Sequence, residues 1–118
     1  MKNTRILGID VWEDTIARCF PEIERAPSGN RGYDFCFDGL KIDAKARHLD
    51  TRNIRPKWSV HTNPIAECYL IGGFNSDHIC IRAWLIPRST SSKRGMIIIY
   101  NDPEGLLTWH GYEIPIPK

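Results

Sequence analysis

The chain has 118 residues, 42% of them hydrophobic and 25% charged, with a formal net charge of +2. That is the size of one compact domain spanning residues 1–118, and it leaves no room for a second core. No run of 18 apolar residues occurs, and Met1 to Asp10 lacks the apolar stretch of a secretory signal, so a cytoplasmic protein with no membrane partner is expected.

In chain order, Asp10 to Phe20 reads as a helix, with Asp10 as its N-cap and Trp12, Ile16, Cys19, Phe20 and Ile23 recurring at helical spacing. Pro21 shortens or kinks it. Pro27 to Gly32 is a loop. From Tyr33 to Ala46 two alternating runs flank Asp38-Gly39, the strongest short-range signal for a two-residue hairpin turn. Arg47 to Asn63 is polar and broken by Pro56, with one short strand over Lys57 to His61. Glu67 to Gly72 and His78 to Ile86 read as strands, the second rich in Ile, Trp and Leu and closed by Pro87. Arg88 to Gly95 is a basic loop, and Met96 to Tyr100 with Leu106 to Ile114 form a C-terminal strand pair. The order is that of an α/β domain, without internal repeats or linkers.

The hairpin carries the chemistry. A two-residue turn pairs Phe37 with Leu40, Phe35 with Ile42 and Asp34 with Asp43. One face then gathers Tyr33, Phe35, Phe37, Leu40, Ile42 and Ala44, and the other Asp34, Cys36, Lys41, Asp43 and Lys45. Two carboxylates directly opposite each other repel, at a cost comparable to the roughly 0.2–1 kcal/mol that a good cross-strand pair contributes, unless positive charge lies between them. Lys41, Lys45 and Arg47 are one source of that charge, and a bound cation is the other.

Charge is unevenly spread. Residues 41–57 hold Lys41, Lys45, Arg47, Arg52, Arg55 and Lys57 against Asp43 and Asp50, and Arg88, Lys93 and Arg94 follow later, whereas residues 1–40 carry seven acids against five bases. A basic segment beginning at the paired aspartates suits a polyanionic partner, although charge runs are more often solvated faces. Cys19, Cys36, Cys68 and Cys80 lack C-x-x-C spacing and read as small apolar residues. His48, His61, His78 and His110 are scattered, without the i, i+4 spacing of a metal-binding helix, and read as surface or structural.

Asp34, followed by Asp43-Ala44-Lys45 on the next strand, resembles the signature of the PD-(D/E)XK nuclease superfamily, in which an Asp and an acidic-x-Lys triplet occupy two adjacent strands. Gly32-Tyr33-Asp34-Phe35 leading into Lys41-Ile42-Asp43-Ala44-Lys45 is similar to the wording of phage-type and mobile-element members. Asn63 to Phe74 and Arg82 to Pro87 are similar to the strands that follow, so the resemblance covers roughly residues 9–88. It departs from the usual pattern at Gly32-Tyr33, where many members have Pro, at Glu67, where Asp is common, and in the short chain before the hairpin.

What the resemblance implies is a restriction-endonuclease-like fold, a central mixed β-sheet flanked by helices. It also implies that Asp34, Asp43 and the Ala44 carbonyl hold Mg2+, with Mn2+ as a substitute, and that Lys45 assists the attacking water. Glu13 would be the helix carboxylate that many members use; read on its own it is equally an exposed Glu stabilised by the helix dipole. Lys41, Arg47, Arg52, Arg55, Lys57, Lys93 and Arg94 would contact nucleic acid. Trp58 and Trp84 are of a type that stacks on bases, although strand aromatics more often fill cores.

Two functional classes follow. The first is a metal-dependent endonuclease acting on duplex or branched DNA; the alternative is a non-catalytic nucleic-acid-binding protein that retains the nuclease fold. Facing carboxylates would repel phosphate in a pure binder, which favours the enzyme. One hairpin supplies one metal site, so double-strand cleavage calls for a homodimer whose Asp43 sites face a common groove lined by residues 45–57. The apolar C-terminal strand pair would form the dimer surface or cover the sheet edge.

Overall fold

The computed structural model describes residues 11–27 and 32–118. Helix α1, Trp12–Cys19, turns Trp12 and Ile16 inward one turn apart. Its first turn carries Glu13 and Asp14 and its last Arg18, the order that complements a helix dipole. The helix stops short of the expected Phe20, whose backbone has left the helical region (φ −125°, ψ 76°) ahead of Pro21. Asp10, the expected N-cap, lies outside the described residues; Val11 occupies the capping position without a side-chain hydrogen bond.

Three strands follow. A two-residue strand β1, Glu24–Arg25, which the sequence did not announce, pairs antiparallel with β2, Phe35–Phe37, and β2 pairs with β3, Leu40–His48. Asp38 and Gly39 both take positive φ (51° and 83°), the conformation a two-residue hairpin turn needs, and Phe37 faces Leu40 and Phe35 faces Ile42 as expected. Two of the expected face assignments fail. Tyr33 packs against the apolar cluster on the opposite side of the sheet from Phe35, because the chain leaves regular strand geometry before Phe35. Phe37, beside the turn at the sheet's rim, remains 45% exposed.

Strand β4, Lys57–His61, leaves the main sheet and later pairs antiparallel with β7, Met96–Tyr100. Between them come β5, Cys68–Phe74, and β6, Cys80–Pro87, which complete a mixed sheet of order β1-β2-β3-β5-β6, with β3 and β5 parallel and every other neighbour antiparallel. All seven residues of β5 are buried, since both faces of the sheet are covered. Trp12 and Ile16 of α1 cover one face, against Phe35, Ile42, Leu70 and Phe74. The β4–β7 ribbon covers the other, setting Trp58, Val60, Ile97 and Ile99 on Tyr69, Ile71, Trp84 and Ile86. A Cβ on Gly73 would stand 2.8 Å from Trp58 and 3.0 Å from Trp84, so this glycine is what admits the two indoles to the central strand.

The expected C-terminal strand pair is overturned. Residues 103–108 form helix α2, Pro103–Thr108, followed by a 3-10 turn at His110–Tyr112, and the partner of β7 is β4. The local reason is Asp102-Pro103: the Asp102 carboxylate accepts the Gly105 N–H at 2.8 Å, and proline occupies the first helical turn, where its missing N–H costs nothing. Ile97 and Ile99, expected at a dimer surface or over the sheet edge, are each 1% exposed inside the core. The described residues form a small α/β domain with a mixed five-stranded sheet and two helices, in which a strand ribbon rather than a helix covers the second face. Among the described residues no helix is long and apolar enough to cross a membrane.

Candidate metal centre

The site arises where two strands part. Pairing of β2 with β3 ends at Phe35 and Ile42, while β3 continues to His48 bonded only to β5. Backbone groups of alternate residues in a strand point to opposite edges. Lys41 offers its carbonyl to Glu67 on the β5 side and Ile42 offers its own to the Asp34 N–H on the β2 side, at 2.8 and 2.9 Å. By that alternation Ala44 faces the open edge. Its N–H donates to Asp34 Oδ2 at 2.8 Å, and its carbonyl points to the same side. A side chain thus carries on where the main-chain ladder stops, and this holds the Asp34 carboxylate beside β3.

Asp43 sits next to it. The residue is 6% exposed, the only buried charged residue among those described. Lys45 Nζ lies 3.1 Å from Asp43 Oδ2. Burial, then hydrogen bonding to Asp34, pushes the Asp43 carboxyl up from 3.8 to about 6, while Lys45 pulls the other way. Asp43 therefore keeps its proton until the pH rises through about 6. Glu13 on α1 joins the same field: burial first, then Asp34, raises its carboxyl, with Arg25 and Lys45 opposing. Asp34, Asp43 and Lys45 are therefore brought together as expected, and Glu13 is close enough to feel two of them. Among the described residues no three carboxylate, imidazole or thiol groups converge at ligating distance.

The donors suit a hard divalent ion. Two carboxylates and a strand carbonyl are all oxygen ligands, and a cation between Asp34 and Asp43 would take the place of the proton that burial and the hydrogen bond to Asp34 favour on Asp43.

One organising residue escaped the sequence reading. Asn63 Nδ2 donates to the Gly32 carbonyl at 3.0 Å and reaches Asp43 Oδ2 at 3.5 Å, while its Oδ1 accepts the N–H groups of Ile65 and Ala66 at 2.8 Å each. The Tyr69 hydroxyl accepts the Asn63 N–H at 2.6 Å, and Arg88 donates to the Ala66 carbonyl at 2.8 Å. Gly32, at φ +90°, has room for no Cβ, which would stand 2.8 Å from that of Ile65. Asn63 thereby ties the start of the hairpin to Asp43. Its signal was present as Asn63-Pro64, a dipeptide that favours side-chain-capped turns.

The expected phosphate contacts divide into two groups. Lys41, Lys45 and Arg47 alternate along β3 with Asp43, so they share its face at intervals of roughly 6.6 Å. Lys41 also lies over the Tyr33 ring and Arg47 donates to the Ala46 carbonyl. Lys93 and Arg94 are exposed in the loop before β7, whose Gly95 carbonyl accepts the Thr62 N–H next to Asn63. Arg52 and Arg55 are engaged elsewhere. Arg52 forks onto Asp50, holding that carboxyl down at about 2, and Arg55 forks onto Asp102, reaches Glu104 and stacks 3.8 Å from the centre of the Tyr100 ring. Lys57 is half-buried in β4.

No protein-family model matches the chain, and no curated protein sequence matches it.

Proposed function

We propose that this domain is a metal-dependent endonuclease of the restriction-endonuclease-like type, acting on DNA. The observation that carries the reading is the close pair Asp34 and Asp43 with Lys45 at 3.1 Å, set at an open strand edge and flanked by cations on the same face. Asp34, Asp43 and the Ala44 carbonyl would hold Mg2+ or Mn2+. When bound, the ion would polarise the scissile phosphate and lower the pKa of a coordinated water. Lys45, next to the ligands and partly open to solvent, holds the attacking water and offsets charge growing on the phosphate oxygens. Asn63 keeps the Asp43 carboxylate turned toward Asp34. Lys41 and Arg47 seat the neighbouring phosphates of the strand being cut.

Incubation with plasmid, branched and single-stranded DNA tests the reading. Nicked or linear product should form with Mg2+ or Mn2+ and disappear with EDTA. DNA binding without cleavage under any metal would establish a non-catalytic binder, and neither binding nor cleavage would overturn the proposal.

Cleavage of both strands by one site per chain requires two copies about a twofold axis. Ile97 and Ile99 of β7 do not supply the surface, being internal, so the dimer proposed here would meet around the basic face of β3. Sedimentation of the protein on duplex DNA should show two copies per site. A monomer both free and on DNA would identify a nickase.

A further inference from the structure

His48 and His78 lie 30 positions apart in sequence, yet the structure brings His48 Nε2 to 2.6 Å from His78 Nδ1, with ring centroids 4.6 Å apart and the planes at 67°. His48 ends β3 five residues after Asp43, about 16 Å along the strand and on the opposite face, so this pair is separate from the carboxylate site. His78 is held by a turn with unusual geometry. Its N–H donates to the Asn75 carbonyl at 3.1 Å, and the Asn75 side chain accepts from Asp77 and Ile79 at 2.9 and 3.1 Å. At that turn His78 adopts φ +64°, a left-handed conformation that few residues other than glycine take, asparagine, aspartate and histidine most readily. The turn fixes the backbone that carries the His78 ring, and its Nδ1 meets the second imidazole.

We propose that His48 and His78 form a binding site for a borderline divalent transition-metal ion such as Ni2+, Zn2+ or Cu2+. Neutral imidazole nitrogens are the favoured ligands of these ions, and two converging rings supply two adjacent positions, with water filling the rest. In the closed pair one nitrogen carries the hydrogen that the other accepts. For both lone pairs to reach one ion, that donor ring moves its hydrogen to its other nitrogen, and the two nitrogens separate by a few tenths of an ångström. No net proton is released. The bound ion clamps the end of β3 to the β5–β6 turn.

Thermal melts of the untagged, EDTA-treated protein test this, with Ni2+ chosen because the four free cysteines complicate Zn2+. Ni2+ should raise the Tm by roughly 3–8 °C at saturation, whereas Mg2+ should not reproduce the shift. The Ni2+ shift should vanish in His78→Gly and in His48→Gln and persist in Asp43→Asn, which separates this site from the carboxylates. Without metal, His78→Gly should melt no lower than the parent, since glycine relieves the left-handed backbone. A parent protein that ignores Ni2+, or a shift that survives both histidine substitutions, overturns the proposal; loss of the shift only in Asp43→Asn does so as well, by placing the ion at the carboxylates.

Discussion

Asp43→Asn is expected to abolish cleavage and at the same time to raise the melting temperature above neutral pH. The activity follows from the loss of a charged ligand in a site that has only two carboxylates at hydrogen-bond distance. The stability follows from linkage. A carboxyl held at about 6 in the folded protein against 3.8 when unfolded binds its proton more tightly in the fold. Its favourable contribution is complete below about 3.8 and is lost as pH rises through 6, which leaves the folded state penalised at neutrality. Asparagine removes that pH-dependent penalty and keeps the side chain's size. The gain should be about 1–3 kcal/mol at pH 8, or roughly 4–10 °C, and should shrink to nothing near pH 4. Lys45 limits the gain because it loses its closest partner, although it remains partly exposed and in the field of Glu13. Melts of both proteins across pH 4–8 decide the matter. An Asp43→Asn protein less stable at every pH would show that the Asp43–Lys45 ion pair is a structural tie, and would remove the main support for a metal site.

Lys45→Ala is expected to lower kcat by about 10²–10³-fold with KM changed only a few-fold. Lys45 is placed by its ion pair with Asp43, one alternate position along β3, so its ammonium lies beside the proposed ligands rather than out along the DNA path. Lys41 and Arg47, further along the same face, should show the converse: weaker, more salt-sensitive binding with turnover largely kept. Lys45→Arg should fail to restore turnover, because a planar guanidinium does not occupy the space of a compact ammonium. Single-turnover rates at saturating DNA separate the two effects. If Lys45→Ala changes only KM, the lysine is a phosphate anchor and its role at the water is wrong. The same variant should also melt lower than the parent above pH 6, since Lys45 is what draws the Asp43 carboxyl back down.

Local chemistry made much of this frame readable. Asp38-Gly39 encodes its own turn, so the register of Phe35 to Ile42 follows without reference to the rest of the chain. Trp12 and Ile16 at helical spacing, and the apolar runs of β5 and β6, are equally short-range signals. Asp102-Pro103 was such a signal too, and α2 shows that a capping residue before proline outweighs the apolar character of Leu106 to Ile114. The pairing of β4 with β7 had no local signature. Each strand alternates, with Trp58 and Val60 facing inward on one and Ile97 and Ile99 on the other, but alternation says which side is buried and not which strand lies alongside.

The candidate site divides along the same line. That Asp43 and Lys45 share one face was contained in the two-residue side-chain period of β3. The expected strand pairing of Asp34 with Asp43 does not form: regular pairing stops at Phe35 and Ile42, and Asp34 reaches Ala44 of β3 through its carboxylate. That Asp43 is buried, that β3 loses its β2 neighbour after Ile42, and that Glu13, Asn63 and Arg88 gather around the hairpin depended on distant segments. Asp43 is desolvated because β3 lies against β5, pairing Asp43 with Tyr69, and because Asn63 and Lys45 reach its carboxylate. His48 and His78 meet for a similar reason, through the parallel pairing that sets His48 beside Phe74 at the start of the β5–β6 turn. Turn and strand preferences act over a few residues; burial and electrostatic coupling depend on distance in space, so the identity of these acids and imidazoles was local information while their chemistry was set by packing.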